Sequence, residues 1–278
     1  MLTISYDEMN TERKYSIIVV TRNNAQGLER TLNSIRSLDY ARKETIVVDG
    51  ASTDNTKDIL AQFEDIITFS LSEKDSGIYN AMNKGIQHVT GDYVVFMNAG
   101  DIFADSNVLK TVNACDGDII LGSEEYGGQP RMVKGEMTLY DLFSVGINHQ
   151  AVYYRREVLQ KYGFDESYKL TADLKSVIEP YVKDKVKLTF VTDILAVCEG
   201  GGASKVHWRD TLVENRRMVS ELVDPFYRED YLRFARINND MLPHFAVLSS
   251  FHHVFPVIKL LSKMAKFVNA RFKHIPGI

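Results

Sequence analysis

The sequence predicts an α/β fold built on a parallel sheet flanked by helices, with a helical extension at its C-terminal end. Three observations carry this. Continuous β-branched runs such as "YSIIVV" (15–20) and "ETIVVD" (44–49) read as strands covered on both faces. Stretches with apolar residues at helical spacing alternate with them, as crossover connections require. From Val206 onward the pattern is mostly helical.

The elements follow in order. After the first strand, Leu28, Thr31, Leu32, Ile35 and Leu38 recur at helical spacing. The second strand leads into "ASTDNTKDILAQF", where Ser52 or Thr53 is a candidate N-cap and Asp54 a better one. "IITFSL" (66–71) reads as the third strand, "GIYNAMNKGIQHV" as a helix and "DYVVFMN" (92–98) as the fourth strand. Beyond Asp101 the pattern loosens. "DIILGS" (118–123) and "HQAVYYRR" (149–156) suggest strands, "YGGQPRM" a turn, and "REVLQKYG" a short helix closed near Gly163. "TADLKSVIEPYV" is helical until Pro180, "VKLTFVTDILAVC" is extended, and "EGGGAS" (199–204) is a flexible loop. Without a low-complexity linker, residues 1–205 read as one domain and 206–278 as a helical region. Within the domain, residues 15–101 form one half and 102–205 the other.

Bulk properties narrow the function. With 278 residues, 45% hydrophobic and 25% charged, the chain is long enough for a sizeable core. The net charge of −4 offers no general reason to bind nucleic acid. The two cysteines, Cys115 and Cys198, lie far apart and give no CxxC or Cys/His spacing for a zinc site, and low cysteine use fits a reducing compartment. The first ten residues lack a basic segment followed by an apolar core, and no apolar stretch approaches the roughly 18 residues of a spanning helix. A cytoplasmic protein is the expectation. Charge is uneven, however. Five basic residues (Lys259, Lys263, Lys266, Arg271, Lys273) and no acids follow Met241, which leaves −9 on residues 1–240.

Ligands of parallel α/β sheets bind beyond the carboxyl ends of the strands. Those ends carry Thr21-Arg22-Asn23, Asp49-Gly50, Ser72 to Asp75, and Asn98-Ala99-Gly100-Asp101. "TRNNAQG" is not the GxGxxG of a dinucleotide fold, and no P-loop occurs, so a nucleotide would be held by side chains. Each candidate has a plainer reading. Asp49 either bonds local amides or accepts a hydrogen bond from the N3–H of a uracil-like base. Asp75 either caps the helix after it or binds ligand, and Asn83-Lys84 is either a solvated helix end or part of the site. Asp101 either caps the next helix or holds a divalent cation against a diphosphate, with the Asn98 amide oxygen in support. One strand-end carboxylate suffices for Mg²⁺ or Mn²⁺ when phosphates supply other ligands. Asp173 either opens its helix favourably for the dipole or acts as a general base. In "CEGGGASK", the glycines with Lys205 and His207 form either a linker or a lid over a diphosphate, His207 being also a candidate metal ligand.

Together these pieces resemble a family 2 glycosyltransferase of the GT-A fold over about residues 15–205. The resemblance rests on "SIIVVTRNN", "IVVDGASTDNT", "EKDSGIYNAMNKGI", "GDYVVFMNAGDIF", "NHQAVYYRR…GFDES", "TADL" and "GGAS" in that order. "DSGIYNAMNKG" and "NAGD" are similar to bacterial enzymes of capsule, colanic-acid or O-antigen assembly. The resemblance implies a nucleotide-sugar donor, with UDP as the expected nucleotide, contacted by Asp49 and Asp75 with Thr21 and Arg22 nearby. It implies Mn²⁺ or Mg²⁺ on Asp101, the last acid of a DXD motif, and Asp173 as the base of an inverting displacement. The first acid of that motif is replaced by Asn98 or Ala99, and Ala172 stands where an acid often precedes the base. A non-catalytic sugar-nucleotide-binding protein is the alternative.

The basic tail adds one expectation. Val257, Leu261, Met264, Val268 and Phe272 share a helical face, with Lys259, Lys263, Lys266 and Lys273 opposite. Residues 254–273 would either pack on the body or lie on an anionic membrane surface. The second suits an acceptor glycan carried on a polyprenyl diphosphate.

Overall fold

A computed structural model of the chain describes residues 12–200 and 207–228. The chain divides into two compact units, 1–223 and 224–278. The first opens with β1 (Tyr15–Thr21), α1 (Ala25–Arg36), β2 (Lys43–Asp49), α2 (Thr56–Gln62), β3 (Phe69–Ser72), α3 (Ile78–Ile86) and β4 (Tyr93–Asn98). Then follow β5 (Ile102–Phe103), α4 (Val108–Asn113), β6 (Ile119–Tyr126), β7 (Gln129–Arg131), α5 (Leu139–Val145) and β8 (Val152–Arg155). It closes with α6 (Arg156–Tyr162), α7 (Ala172–Asp184), β9 (Leu188–Cys198) and α8 (Trp208–Leu222).

The first four strands pair in parallel in the order β3-β2-β1-β4. Alternation along β1 explains the two layers. Ile17 and Val19 face α1 and α2, packing with Leu28, Leu32, Ile35 and Ile59. Ile18 and Val20 face the opposite side, with Met82, Ile86, Val177 and Ile178. The register sets Thr21 beside Asp49 and Asp49 beside Ser72, while Val20 aligns with Asn98. The carboxyl ends therefore form one ledge, and the candidate polar residues stand along it.

Beyond β4, where the sequence pattern loosens, the sheet is mixed. β8 runs antiparallel to β4 and to β6, β9 parallel to β6, and β5 antiparallel to β9. The antiparallel pairs carry no 3.6-residue crossover pattern, so the alternation that marks the first half is missing. Gly127 and Gly128, both at positive φ, close the two-residue β6–β7 turn.

Several boundaries move. The third strand begins at Phe69, because Ile66 and Ile67 pack against the core before the pairing starts. Helix α2 starts at Thr56, and neither Ser52 nor Thr53 caps it; Asp54 accepts the Thr56 backbone N–H at 3.1 Å. Helix α7 runs through Pro180 to Asp184, its flanks fixed by the burial of Val177 and Ile178, and ends at Lys185 in the left-handed region. Residues 149–151 form a single 3₁₀ turn ahead of β8. Helix α5 carries a capping box between Thr138 and Asp141 that the sequence reading passed over. Helix α8 falls within the first compact unit, so that unit extends past the boundary expected at residue 205.

Helix α8 is bound to the segment before α7 by charge. Glu214 accepts the backbone N–H groups of Lys169, Leu170 and Thr171 at 2.6, 3.0 and 3.0 Å, and the Thr171 hydroxyl at 3.0 Å. Three backbone donors leading into α7 are thereby satisfied by one carboxylate. Lys175 on α7 bridges Asp165 and Glu221 at 2.7 and 2.9 Å. The residues expected to contact a membrane, 254–273, lie outside the described residues. Among the described residues no helix is long and apolar enough to cross one.

Candidate functional site

A cleft of about 320 Å³ opens over the carboxyl ends of β1 and β4. Thr21, Arg22, Asp75, Ile78, Asn98 and Ala99 line it. Its rim is built by loops that bond one another. Asn23, held at φ 51°, accepts the Thr53 backbone N–H at 2.8 Å and donates its own backbone N–H to the Ser52 hydroxyl at 2.7 Å. Non-glycine residues at positive φ are sparse and cluster at functional loops. Asn24 caps α1 through Gly27 and donates to the Ala99 carbonyl at 2.8 Å, joining the first and fourth strand ends.

Asp49 is fully buried and accepts the Ser52 backbone N–H at 3.1 Å, the Ser52 hydroxyl, and the Ser72 hydroxyl at 2.6 Å. Its carboxylate braces the loop floor, the plainer of its two readings. Asp75 lies directly above Gly50, in the space a Cβ there would occupy, and accepts the Gly77 backbone N–H at 3.0 Å. Arg22 packs on the same glycine. The Thr21 hydroxyl is buried with no partner, an unmet hydrogen bond at the cleft wall.

Two expected residues are occupied elsewhere. Asn83 donates to the Phe164 carbonyl and to Glu166, each at 2.9 Å, and accepts the Phe164 backbone N–H at 2.9 Å. Its head is saturated by the segment after α6, which removes it from the cleft. Lys84 pairs with Glu73 at 2.7 Å and donates to the Lys74 carbonyl at 2.7 Å. It braces the loop that carries Asp75.

Asp101 does not cap a helix; β5 follows it at once, and α4 begins at Val108. It is buried, with Oδ2 accepting from Gln150 Nε2 at 2.6 Å and Oδ1 from the Glu199 backbone N–H at 3.1 Å. Burial pushes its carboxyl above the usual aspartate range, against those two hydrogen bonds. The Glu199 side chain rests on Gly100 and pairs with Arg30, which also donates to the Gly100 carbonyl. Gln150 Oε1 beside Asp101 has no partner.

Asp173 sits in the first turn of α7, mostly buried. Oδ1 accepts the Tyr79 hydroxyl at 3.1 Å and the Leu174 backbone N–H at 2.9 Å, while Oδ2 lies 3.2 Å from His149 Nδ1. Burial, then the neighbouring Asp173 charge, pushes the Tyr79 hydroxyl well above its usual range, so it remains a donor. His149 Nε2 lies 3.2 Å from Asn98 Oδ1. Consecutive residues thus hold the two acids, Gln150 on Asp101 and His149 on Asp173.

The family model for glycosyl transferase family 2 matches residues 16–163. The chain belongs to glycosyl transferase family 2. It is 31% identical over 183 residues to an uncharacterized glycosyltransferase of Mycobacterium tuberculosis, covering 61% of this chain and 70% of that one. It is 32% identical to a PGL/p-HBAD biosynthesis glycosyltransferase of Mycobacterium bovis, over 57% of this chain and 66% of that one. Among solved structures, Staphylococcus aureus TarS in complex with UDP-GlcNAc superposes with a TM-score of 0.65 at 17% identity, covering 84% and 75% of the two chains. A mannosyltransferase of Pyrobaculum calidifontis with GDP-Man and Mn²⁺ gives 0.65 at 18% identity, covering 93% and 81%. The fold of this glycosyltransferase is that of these GT-A enzymes, an α/β sheet flanked by helices.

Among the described residues of the glycosyltransferase, no three His, Cys, Asp or Glu side chains gather as a metal centre. The donor set fits a different case: the buried Asp101 carboxylate has lone pairs beyond its two hydrogen bonds, and the amide oxygens of Asn98 and Gln150 are hard donors. Such a set suits an oxygen-seeking cation that arrives with phosphate oxygens. His207 precedes α8, exposed, with Asp210 at 3.9 Å as its charged neighbour. Lys205 lies outside the described residues. Sequence reasoning missed His149, Gln150, Tyr79, Asn24 and Glu199. All stand in stretches that carried the resemblance except Glu199, which the glycine run overshadowed; their partners come from other elements, 50 or more residues away for most.

Proposed function

We propose that the protein is a metal-dependent, inverting glycosyltransferase that moves a sugar from a UDP-linked donor to a glycan acceptor carried on lipid, in bacterial surface polysaccharide synthesis. The observation that carries the reading is the adjacency of His149 and Gln150, which holds Asp101 and Asp173 at one end of the sheet. The nucleoside half of the donor would lie in the cleft, where Asp75, Arg22 and the unpaired Thr21 hydroxyl present polar atoms. Asp49 would act there through the loop it braces. The diphosphate would reach Asn98, Ala99 and Asp101, with Lys205 and His207 as further candidates.

A divalent cation held by Asp101, with Asn98, would neutralise the leaving diphosphate. Asp173 would accept the proton of the acceptor hydroxyl as that oxygen attacks the anomeric carbon, and the carbon–phosphate oxygen bond breaks with its electrons on the diphosphate. Tyr79 and the Leu174 N–H hold one oxygen of Asp173 in place for this. The relatives and structural neighbours are glycosyltransferases, two of the neighbours with nucleotide sugars, which supports the donor class. The test is hydrolysis of a panel of UDP-sugars with and without Mn²⁺. We expect sugar release that needs Mn²⁺ and is lost in Asp173→Asn while UDP binding persists. UDP binding without any turnover of donor, with or without acceptor glycans, would leave a sugar-nucleotide-binding protein instead.

A further inference from the structure

Three side chains of α8 hold five consecutive residues of the segment that leads into α7. Glu214, Arg217 and Glu221 are spaced three and four residues apart, so they share one face of the helix. Arg217 donates to the Ser167 hydroxyl at 2.9 Å, and Glu221 accepts the Tyr168 hydroxyl at 2.8 Å. Glu214 takes the next three residues, accepting the backbone N–H groups of Lys169, Leu170 and Thr171 and the Thr171 hydroxyl. Thr171 stands at the N-cap of α7, yet its side chain makes no capping bond to that helix. Its hydroxyl is turned to Glu214 instead. The start of α7 is therefore fixed from outside, and Asp173 follows two residues later in the first turn. The other side of the same segment is tied to α3, where Asn80 and Asn83 donate to Glu166 at 3.0 and 2.9 Å. Helix α3 also carries Tyr79, whose hydroxyl donates to Asp173.

We propose that Glu214 is a positioning residue for Asp173: by gathering the N–H groups of residues 169–171 it fixes where α7 begins, and so where the carboxylate of Asp173 stands against the acceptor hydroxyl. This rests on the reading of Asp173 as the base. Tyr79 holds the carboxylate itself, while Glu214 holds the backbone that carries it. The bonds of Glu214 go to residues 169–171, whereas the donor cleft is lined from β1, α3, β4 and the loops beside them. Loss of Glu214 therefore acts on turnover and spares donor binding. A base that shifts by about 1 Å can lose on the order of 100-fold in rate. Helix α8 also lies beyond residues 16–163, the stretch that the family model matches. The geometry of the base is thus completed by a helix outside that stretch.

The experiment compares full-length wild type, Glu214→Gln and Glu214→Ala. Initial rates of hydrolysis of the most active UDP-sugar with Mn²⁺ are measured at a temperature where circular dichroism shows each protein fully folded. Glutamine keeps one acceptor oxygen for the three N–H groups and alanine keeps none. The expected result is a fall in kcat of about 10- to 100-fold in Glu214→Ala and a smaller fall in Glu214→Gln. Donor KM and the Kd for UDP should stay near the wild-type values. Glu44→Gln is the control for lost stability, because Glu44 lies near the amino end of β2, away from the ledge; it should melt earlier and keep the wild-type kcat. If Glu214→Ala does not fold, the kcat of Glu214→Gln decides. Wild-type kcat in the folded Glu214 variants, with Asp173→Asn inactive, overturns the proposal alone. Equal falls in kcat in Glu44→Gln and the Glu214 variants, or a change confined to donor KM, also overturn it and reduce Glu214 to a stabilising contact. An Asp173→Asn enzyme with the wild-type rate, or a wild type that turns over no donor, removes the base reading and the positioning role together.

Discussion

Gly50→Ala separates the site from the fold. Gly50 follows β2 at the ledge and does not have the positive φ that would strain an alanine. A Cβ there would sit 3.1 Å from Arg22 Cδ and well inside van der Waals distance of Asp75 Oδ2. The carboxylate must withdraw by about 1 Å to restore ordinary contact. Asp75 is a partly exposed side chain at the cleft, so it can swing out without disturbing the core. The folded state should therefore lose little, and the alanine reduces the freedom of the unfolded chain by about 0.4–1 kcal/mol. The cost falls on ligand binding. If Asp75 accepts a hydrogen bond from the donor's base, losing that charged bond costs about 1.5–3 kcal/mol, or roughly 10- to 150-fold in Kd. Isothermal titration with UDP and Mn²⁺, paired with a thermal melt, reads both quantities. Unchanged UDP affinity in a normally folded Gly50→Ala protein would refute the placement of the nucleoside over Gly50.

Other outcomes follow from single contacts. Tyr79→Phe removes the hydroxyl that holds Asp173 and should lower kcat about tenfold with donor KM nearly unchanged, measured by initial rates of donor hydrolysis. Glu214→Ala leaves three backbone N–H groups ahead of α7 without their acceptor; a loss of about 2 kcal/mol should lower Tm by about 4–8 °C in a calorimetric scan. Glu44 supplies the pH dependence. Burial pushes its carboxyl up, but hydrogen bonds from Lys14, Ser16 and Thr90 prevail and hold it down at about 2 against the ordinary 4.5. A depressed acid adds stability that is complete above the unfolded value and fades as pH falls from about 4.5 to about 2. The contribution is on the order of 3 kcal/mol. Urea midpoints of wild type and Glu44→Gln should therefore differ at neutral pH and converge on acidification; a gap that stays constant with pH would count against this account of Glu44.

What the sequence made legible was whatever a local pattern encodes. Both-face burial made β1, β2 and β4 continuous apolar runs, and the polar residues after them marked the ledge. The mixed half was less legible because antiparallel pairing depends on partners distant in sequence: β8 meets β4 and β6 through residues that look alike from either side. The site divides the same way. Asp101 and Asp173 stand at element ends, where a carboxylate is conspicuous. His149 and Gln150 sit in a short 3₁₀ turn, and their role exists only once Asn98, Asp101 and Asp173 surround them. Asn83 was the converse. A polar residue on an amphipathic helix near the ledge seemed available, but its neighbours after α6 use it completely. For Asp49 the structure shows the plainer of its two readings, with the Ser52 amide and the hydroxyls of Ser52 and Ser72 donating to it.

A nucleotide sugar is expected to bind here through a cation on Asp101. Calorimetric titration of UDP into wild type and Asp101→Asn, each with and without Mn²⁺ and with GDP as control, tests it most directly. Tight UDP binding that requires Mn²⁺ and disappears in Asp101→Asn, while the protein remains folded, is the expected result. UDP binding that is indifferent to Mn²⁺ and unchanged in the variant would contradict it, leaving Asp101 as a brace for Gln150 and the Glu199 backbone.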